Sequence, residues 1–189
     1  DITFRSCGPK LTPTIIGYTK DSIDLCQGDT ENFIIDCTVS AGFNMPEFKW
    51  QESYNQQPWQ DVPGNNTLQM PVQIFANSPI GSYRYRLIAA EAGNIDAASC
   101  RIYSTPIEII VHANPIALIH NYGPVCKGTP VSLSASGGTS YEWTGPNGFT
   151  AQGDTIVIPA PMPGNYMVTV SNDAGCHAST NTNVILLPT

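Results

Sequence analysis

Charge is what this chain has least of. Asp, Glu, Lys and Arg make up 12% of its 189 residues, about half the roughly 25% of an ordinary globular domain. The eight basic residues form no run, and 15 acidic ones bring the net charge to −7. Nucleic acid and anionic lipid surfaces both require clustered Lys and Arg, so neither is an expected partner. Long apolar runs are also missing. The longest, such as "IEIIV" at 107–111, falls far short of the roughly 20 residues of a spanning helix, and no membrane insertion is expected. No segment carries the apolar period of an amphipathic helix. No CxxC pair occurs, which removes the usual zinc and thiol-redox spacings. The chain opens at Asp1 with no Met and no signal-type apolar segment, and is expected to be a mature or excised fragment of an exported protein.

What the chain does have is 16 Gly, 16 Pro and six Cys. The first two, with abundant Asn, Ser and Thr, describe short strands joined by many turns. Six cysteines without metal spacing fit disulfides of an oxidising compartment, so the expected location is extracellular or the cell surface.

An internal repeat organises the rest. "LCQGDTENFII" from Leu25 returns as "VCKGTPVSLSA" from Val125, and "FKWQES" returns as "YEWTGP", pairing Trp50 with Trp143. "NTLQMPV" from Asn66 matches "DTIVIPA" from Asp154. "IGSYRYRLI" matches "PGNYMVTVS", pairing Gly81 with Gly164 and Tyr83 with Tyr166, and "ASC" ending at Cys100 matches "AGC" ending at Cys176. The offset falls from 100 at Cys26 and Cys126 to 76 at Cys100 and Cys176, so the second copy is a trimmed version of the first. Two domains follow, 1–113 with an N-terminal extension and a smaller 114–189, joined at "VHANPIAL", where Asn114 and Pro115 interrupt a strand.

Period-two alternation places strands of the second unit near 116–120, 130–135, 140–144, 148–151, 154–158, 164–171 and 177–187. Such strands, each with one buried face, must pack as two sheets. The fold class is therefore all-β, two tandem antiparallel sandwiches of about seven strands each. Trp50 and Trp143 fall on the third strand as core residues, and Tyr83 and Tyr166 in "GSY" and "GNY" fall where such sandwiches carry a tyrosine corner. With "VCKGTPVSLSASGGTSYEWTGPNGF" followed by "GNYMVTVSNDAGC", the chain resembles the immunoglobulin-like and PKD-like repeats of secreted and surface proteins of Bacteroidetes. That resemblance implies non-catalytic spacer or adhesion modules, further domains in the same polypeptide, and an unknown protein or glycan as ligand.

The repeat proposes a pairing for the cysteines. Cys126 and Cys176 are the second unit's only two, and by analogy Cys26 pairs with Cys100, leaving Cys7 for Cys37. A competing pairing joins Cys37 to Cys100, because Cys37 precedes Trp50 at the antibody-type spacing; against it, the positions two beyond the corner tyrosines are Tyr85 and Val168, not Cys.

Catalytic chemistry finds little support. Lys127 beside Cys126, and His177 beside Cys176, point to opposite faces in an extended strand, and His112 and His120 are scattered. "CKGTP" precedes a strand and Pro130 lacks an amide donor, so it is no phosphate loop. No cofactor or metal is expected, although Asp29, Asp61, Asp96, Asp154 and Asp173 at strand ends leave edge calcium open. The stronger candidate is "ESYNQQPWQDVPGNN" at 52–66, where Tyr54 and Trp59 among amides suit a sugar or protein ligand; the alternative is a hairpin turn with Trp59 folded over the sandwich edge. Possible glycosylation points are the Asn65 sequon and, by resemblance to the sites at which Bacteroidetes attach O-glycans, the "DSI" and "DTI" triplets at Ser22 and Thr155.

Overall fold

Alternation in the sequence becomes alternation of burial. In "ENFIIDCTV" the side chains of Phe33, Ile35 and Cys37 point inward, and in "GNYMVTVS" those of Tyr166, Val168 and Val170 do. The computed structural model describes residues 9–20 and 22–188, and the chain divides into two units between His112 and Ala113. No helix among the described residues is long and apolar enough to cross a membrane.

The first unit contains β1 (Leu11–Ile15), β2 (Ser22–Cys26), β3 (Glu31–Val39), β4 (Pro46–Tyr54), β5 (Gln60–Asp61), β6 (Gln69–Ile74), β7 (Gly81–Glu91), β8 (Ile102–Tyr103) and β9 (Ile107–His112). One sheet is ordered β1-β3-β6 and the other β2-β9-β7-β4-β5, with β8 also on β7. The second unit contains β10 (Leu118–Asn121), β11 (Val125–Cys126), β12 (Val131–Ser136), β13 (Ser140–Gly145), β14 (Phe149–Gln152), β15 (Thr155–Ile158), β16 (Gly164–Ser171), β17 (His177–Val184) and β18 (Leu186–Leu187). Its sheets are β10-β12-β15 and β14-β13-β16-β17, with β11 paired to β18. Both units are immunoglobulin-like sandwiches.

Each unit has nine strands against the expected seven. The short β5 and β8 of the first unit and the separate β18 of the second account for part of the excess, and in both units the first strand is split. Its second half, β2 or β11, leaves the partner of the first half and runs parallel to the final strand, β2 on β9 and β11 on β18. These two parallel ladders are the departure from an otherwise antiparallel plan. Pairing continues past each: Gln27 N donates to His112 O at 2.8 Å, and Lys127 N to Leu187 O at 3.0 Å.

Each sandwich has its own core. Trp50 and Trp143 are 0% and 1% exposed at the centres of the two clusters. Burying an indole requires a partner for its N–H. Trp50 Nε1 donates to Thr67 O at 2.9 Å and Trp143 Nε1 to Gly153 O at 2.8 Å, the first carbonyl lying just before β6 and the second between β14 and β15. The tyrosines also repeat. Tyr83 Oη donates to Pro79 O at 2.7 Å and Tyr166 Oη to Met162 O at 3.1 Å, each four residues back along the chain. Tyr166 is fully buried, whereas Tyr83 packs against its core while half-buried, and Tyr85 takes the deeply buried place. Tyr166→Phe is expected to lower the stability of the second unit by about 1–2 kcal/mol, because it strips a buried hydroxyl that also accepts from Met162 N. Urea titration followed by tryptophan fluorescence measures it.

Candidate functional site

The repeated "C-x-G" motif is a turn built twice. After Cys26, Asp29 N donates to Cys26 O at 3.0 Å and Asp29 Oδ2 accepts from Cys26 N at 2.8 Å. After Cys126, Thr129 N and Thr129 Oγ1 both donate to Cys126 O, at 3.0 and 2.6 Å. Gly28 and Gly128 occupy the third place at φ +101° and +88°, which a side chain would resist. Each motif thus ends a parallel edge strand with its cysteine held in a fixed register, Cys26 opposite His112 and Cys126 opposite Leu187.

The cysteine pairing expected from the repeat is not the one formed. Cys26 and Cys176 are disulfide-bonded, whereas Cys37, Cys100 and Cys126 are free thiols. Neither Cys26–Cys100 nor Cys126–Cys176 exists, and geometry explains why. Cys126 lies opposite Leu187, but Cys176 directly precedes His177 at the far end of the same final strand. Ten residues of extended chain separate those ends, about 33 Å at the strand rise, against roughly 6 Å between the Cα atoms of a disulfide. In the first unit, β7 pairs Gly81 with Val111 at the Cys26 end and Ala89 with Ile102 at the Cys100 end. Eight strand residues put these about 27 Å apart.

Cys37 is a free thiol buried in the first core, so neither the Cys7–Cys37 bridge nor the competing Cys37–Cys100 bridge is present; Cys7 lies outside the described residues. Burial, reinforced by the Asp36 charge, pushes the Cys37 thiol up to about 11, where it stays protonated and unreactive at neutral pH.

The aromatic candidates are separated. Along β7, "YRYR" alternates: Tyr85 points into the core and Arg84 and Arg86 point outward. Trp59 lies against these arginines, with Arg86 Cζ 4.2 Å and Arg84 Cζ 5.3 Å from its ring centroid. Arg86 also lies 4.5 Å from the Tyr103 ring, and both Nε and Nη2 donate to Gln51 Oε1, at 3.0 and 2.7 Å. Gln51 in turn donates to Asp61, which with Asp96 flanks Lys49 at 3.1 and 2.9 Å. This is a cation–π and ion-pair ladder across the outer face of β4, β5, β7 and β8. Trp59 is committed to it.

Tyr54 instead packs on Tyr83 at 5.0 Å between centroids and donates to Ile80 O at 2.7 Å. It lines a cleft with Glu52, Gln57, Gln60 and Arg84, and Trp59 is not among the lining residues. Tyr54 packs on Tyr83 whereas Trp59 packs on the outward arginines of "YRYR", and Arg84 borders both places.

The ladder has a pH signature. The Gln51 hydrogen bond, then Lys49, holds Asp61 below the usual carboxylate range. A depressed folded pKa favours the ionised form, so its stabilisation is complete above the ordinary pKa and is lost as pH falls through the folded value. Asp61→Asn is expected to flatten the stability loss below about pH 4 by lowering stability at neutral pH while leaving it unchanged at pH 2.5, and the neutral loss is small because Asp61 is half exposed and screened. Thermal melts of both proteins from pH 7 to pH 2.5 measure this.

The remaining candidates serve local structure. His112 Nε2 meets Asp24 Oδ1 at 2.6 Å on adjacent strands, and His120 packs edge-on to Tyr122. Asn65 uses its amide within its own turn, to Gln69 O at 3.1 Å. Ser22 begins β2 half-buried, beside Asp21, which is outside the described residues; Thr155 is exposed where the edge strand β15 begins. Among the described residues no group of three His, Cys, Asp or Glu is arranged to hold a metal ion.

No protein-family model matches the chain, and no curated protein matches its sequence. Solved structures similar to it include a chimeric titin Z1Z2 functionalised with a KLER exogenous peptide from decorin, at 18% identity over 96% of this chain and 99% of that one, TM-score 0.32. Another comprises the three N-terminal domains of the Highly Immunogenic Outer Capsid protein (Hoc) of bacteriophage RB49, at 18% identity over 95% and 59%, TM-score 0.37. A third is Drosophila OTK, extracellular domains 3–5, at 14% identity over 94% and 60%, TM-score 0.49. The chain spans about three fifths of the last two.

Proposed function

We propose that this chain is a pair of non-catalytic immunoglobulin-like modules of PKD-like character, acting as a spacer or adhesion element in a larger secreted or surface protein of a Bacteroidetes bacterium. The observation that carries this reading is duplication of self-sufficient structure. Each unit repeats the same buried Trp, the same tyrosine corner and the same cysteine-ended edge strand around its own core. Repeating a complete sandwich adds length and presenting surface. Oxidised Cys26 and Cys176 suit an extracellular setting. Its partners would be a protein or glycan ligand and further domains of the same polypeptide.

Protease shaving of intact producing cells tests the location. Release of peptides from this chain without cell lysis is expected; recovery only from the cytosol, with every thiol reduced, contradicts the reading.

A second reading, a carbohydrate-binding or enzyme-accessory module, is favoured by the cleft at Tyr54, where amides and charged groups surround a tyrosine. Its residues are Gln57 and Gln60 rather than Trp59. Glycan-array binding abolished by Gln57→Ala with Gln60→Ala and retained in Trp59→Ala supports it. A clean negative across plant, microbial and host glycans opposes it.

A further inference from the structure

On the outer face of the first unit some cations are matched by carboxylates and two are not. Lys49 lies between Asp61 and Asp96, and Arg101 reaches Asp96 at 3.9 Å. Arg84 and Arg86 form no ion pair with an Asp or Glu among the described residues. Glu108 stands opposite Arg84 in register but accepts from Ser82 Oγ at 2.5 Å. Glu52 stands opposite Tyr85, and strand alternation sends its side chain to the Tyr85 face, away from both arginines. Arg86 spends Nε and Nη2 on the neutral amide of Gln51. Burial holds the Arg86 pKa down, and the neighbouring Arg84 charge adds to that effect. Two like charges therefore stand side by side without a counter-charge.

Arg84 is the more available of the two. It lies 5.3 Å from the Trp59 ring and makes no hydrogen bond to the described residues. It borders the cleft of about 360 Å³ at Tyr54, where Gln57 and Gln60 are exposed and their side-chain amides take no part in the fold.

We propose that this cleft receives a carboxylated sugar unit of an acidic glycan, with the carboxylate on Arg84, the sugar hydroxyls on Gln57 and Gln60, and Arg86 supplying the second positive charge. The proposal rests on the carbohydrate-binding reading and adds the charge of the ligand. A guanidinium presents a planar fork that holds a carboxylate through two parallel N–H···O bonds. The cleft is at the small end of ligand pockets, a size that suits a sugar ring better than a folded loop of a protein. Because the whole chain carries −7, attraction of an acidic glycan has to come from this local pair, and added salt should weaken it.

Isothermal titration calorimetry tests this with oligosaccharides of galacturonate, mannuronate and glucuronate, each beside its methyl ester, which removes the charge and keeps the sugar. Binding of at least one acidic oligomer is expected, with its ester bound about tenfold more weakly or worse, as loss of a charge-assisted hydrogen bond implies. Arg84→Gln should weaken the acidic oligomer to the level of the ester and leave the urea midpoint unchanged, because the guanidinium makes no hydrogen bond in the fold. Equal binding of acid and ester, or full binding by Arg84→Gln, overturns the proposal and leaves the carbohydrate reading standing. Failure of every acidic oligomer also overturns it, while glycan-array hits confined to neutral sugars would still uphold that reading. A tetraglutamate peptide bound as tightly as the best oligomer overturns the assignment to sugar.

Discussion

Trp143→Ala is expected to unfold the smaller unit and leave the larger one folded. Large-to-small changes at buried Trp cost about 3–5 kcal/mol, and a whole domain is typically stable by about 5–15 kcal/mol, with a small unit at the low end. Trp143 is 1% exposed and lies in a cluster whose other buried members are Val131, Leu133, Ile156, Ile158, Tyr166, Val168, Val170 and Val184. None is as large. Removing the indole also orphans Gly153 O, its hydrogen-bond partner. The first unit has its own buried cluster around Trp50, so its resonances should stay dispersed. Two-dimensional NMR of the variant distinguishes this from global loss: about two fifths of the amide peaks, those of 113–189, should collapse to random-coil positions.

Gly137→Ala is expected to cost about 3 kcal/mol or more, an unusual penalty for one methyl group. Two effects add there. Gly137 sits at φ +109°, and a Cβ at that position would run into the carbonyl of Ile116, a backbone group that cannot swing aside. The strained backbone alone costs roughly 1–2 kcal/mol, and overpacking typically adds 1–3 kcal/mol. Gly128→Ala is the control: φ is +88° but nothing lies within 4 Å of its Cβ. That variant should lose only about 1–2 kcal/mol. Paired urea titrations on the two variants separate close approach from backbone strain.

These two glycines show what the sequence could and could not convey. "SASGGTS" reads correctly as a turn between strands, but Ile116 is distant in the chain, so nothing local reveals its carbonyl beside Gly137. The sandwich, the buried tryptophans and the corner tyrosines were legible because each depends on local periodicity copied twice. Val125–Cys126 lay outside the strands expected from alternation, since a two-residue strand has no periodicity to detect. The cysteine pairing failed for a related reason. Repeat positions establish which cysteines are equivalent, and they are; equivalence does not establish which ones meet.

A usable signal existed in strand direction. If the first strand's second half runs parallel to the last, the two finish at one end, and the turn entering the last strand lies at the other. Given that pairing, Cys126 and Cys176 fall at opposite ends. Trp59 was the converse case. Its place in a surface loop was foreseeable, but its half-burial against Arg86 arises from a neighbouring strand, and only the outward register of "YRYR" hinted at it.

Alkylation before and after reduction, read by mass spectrometry, tests most directly that each sandwich carries its two motif cysteines at opposite ends and does not close on itself. In native protein prepared without added oxidant or reductant, iodoacetamide should label Cys100 and Cys126, spare buried Cys37 until the protein is denatured, and reach Cys26 and Cys176 only after reduction. A peptide joining Cys126 to Cys176, or Cys26 to Cys100, would contradict it.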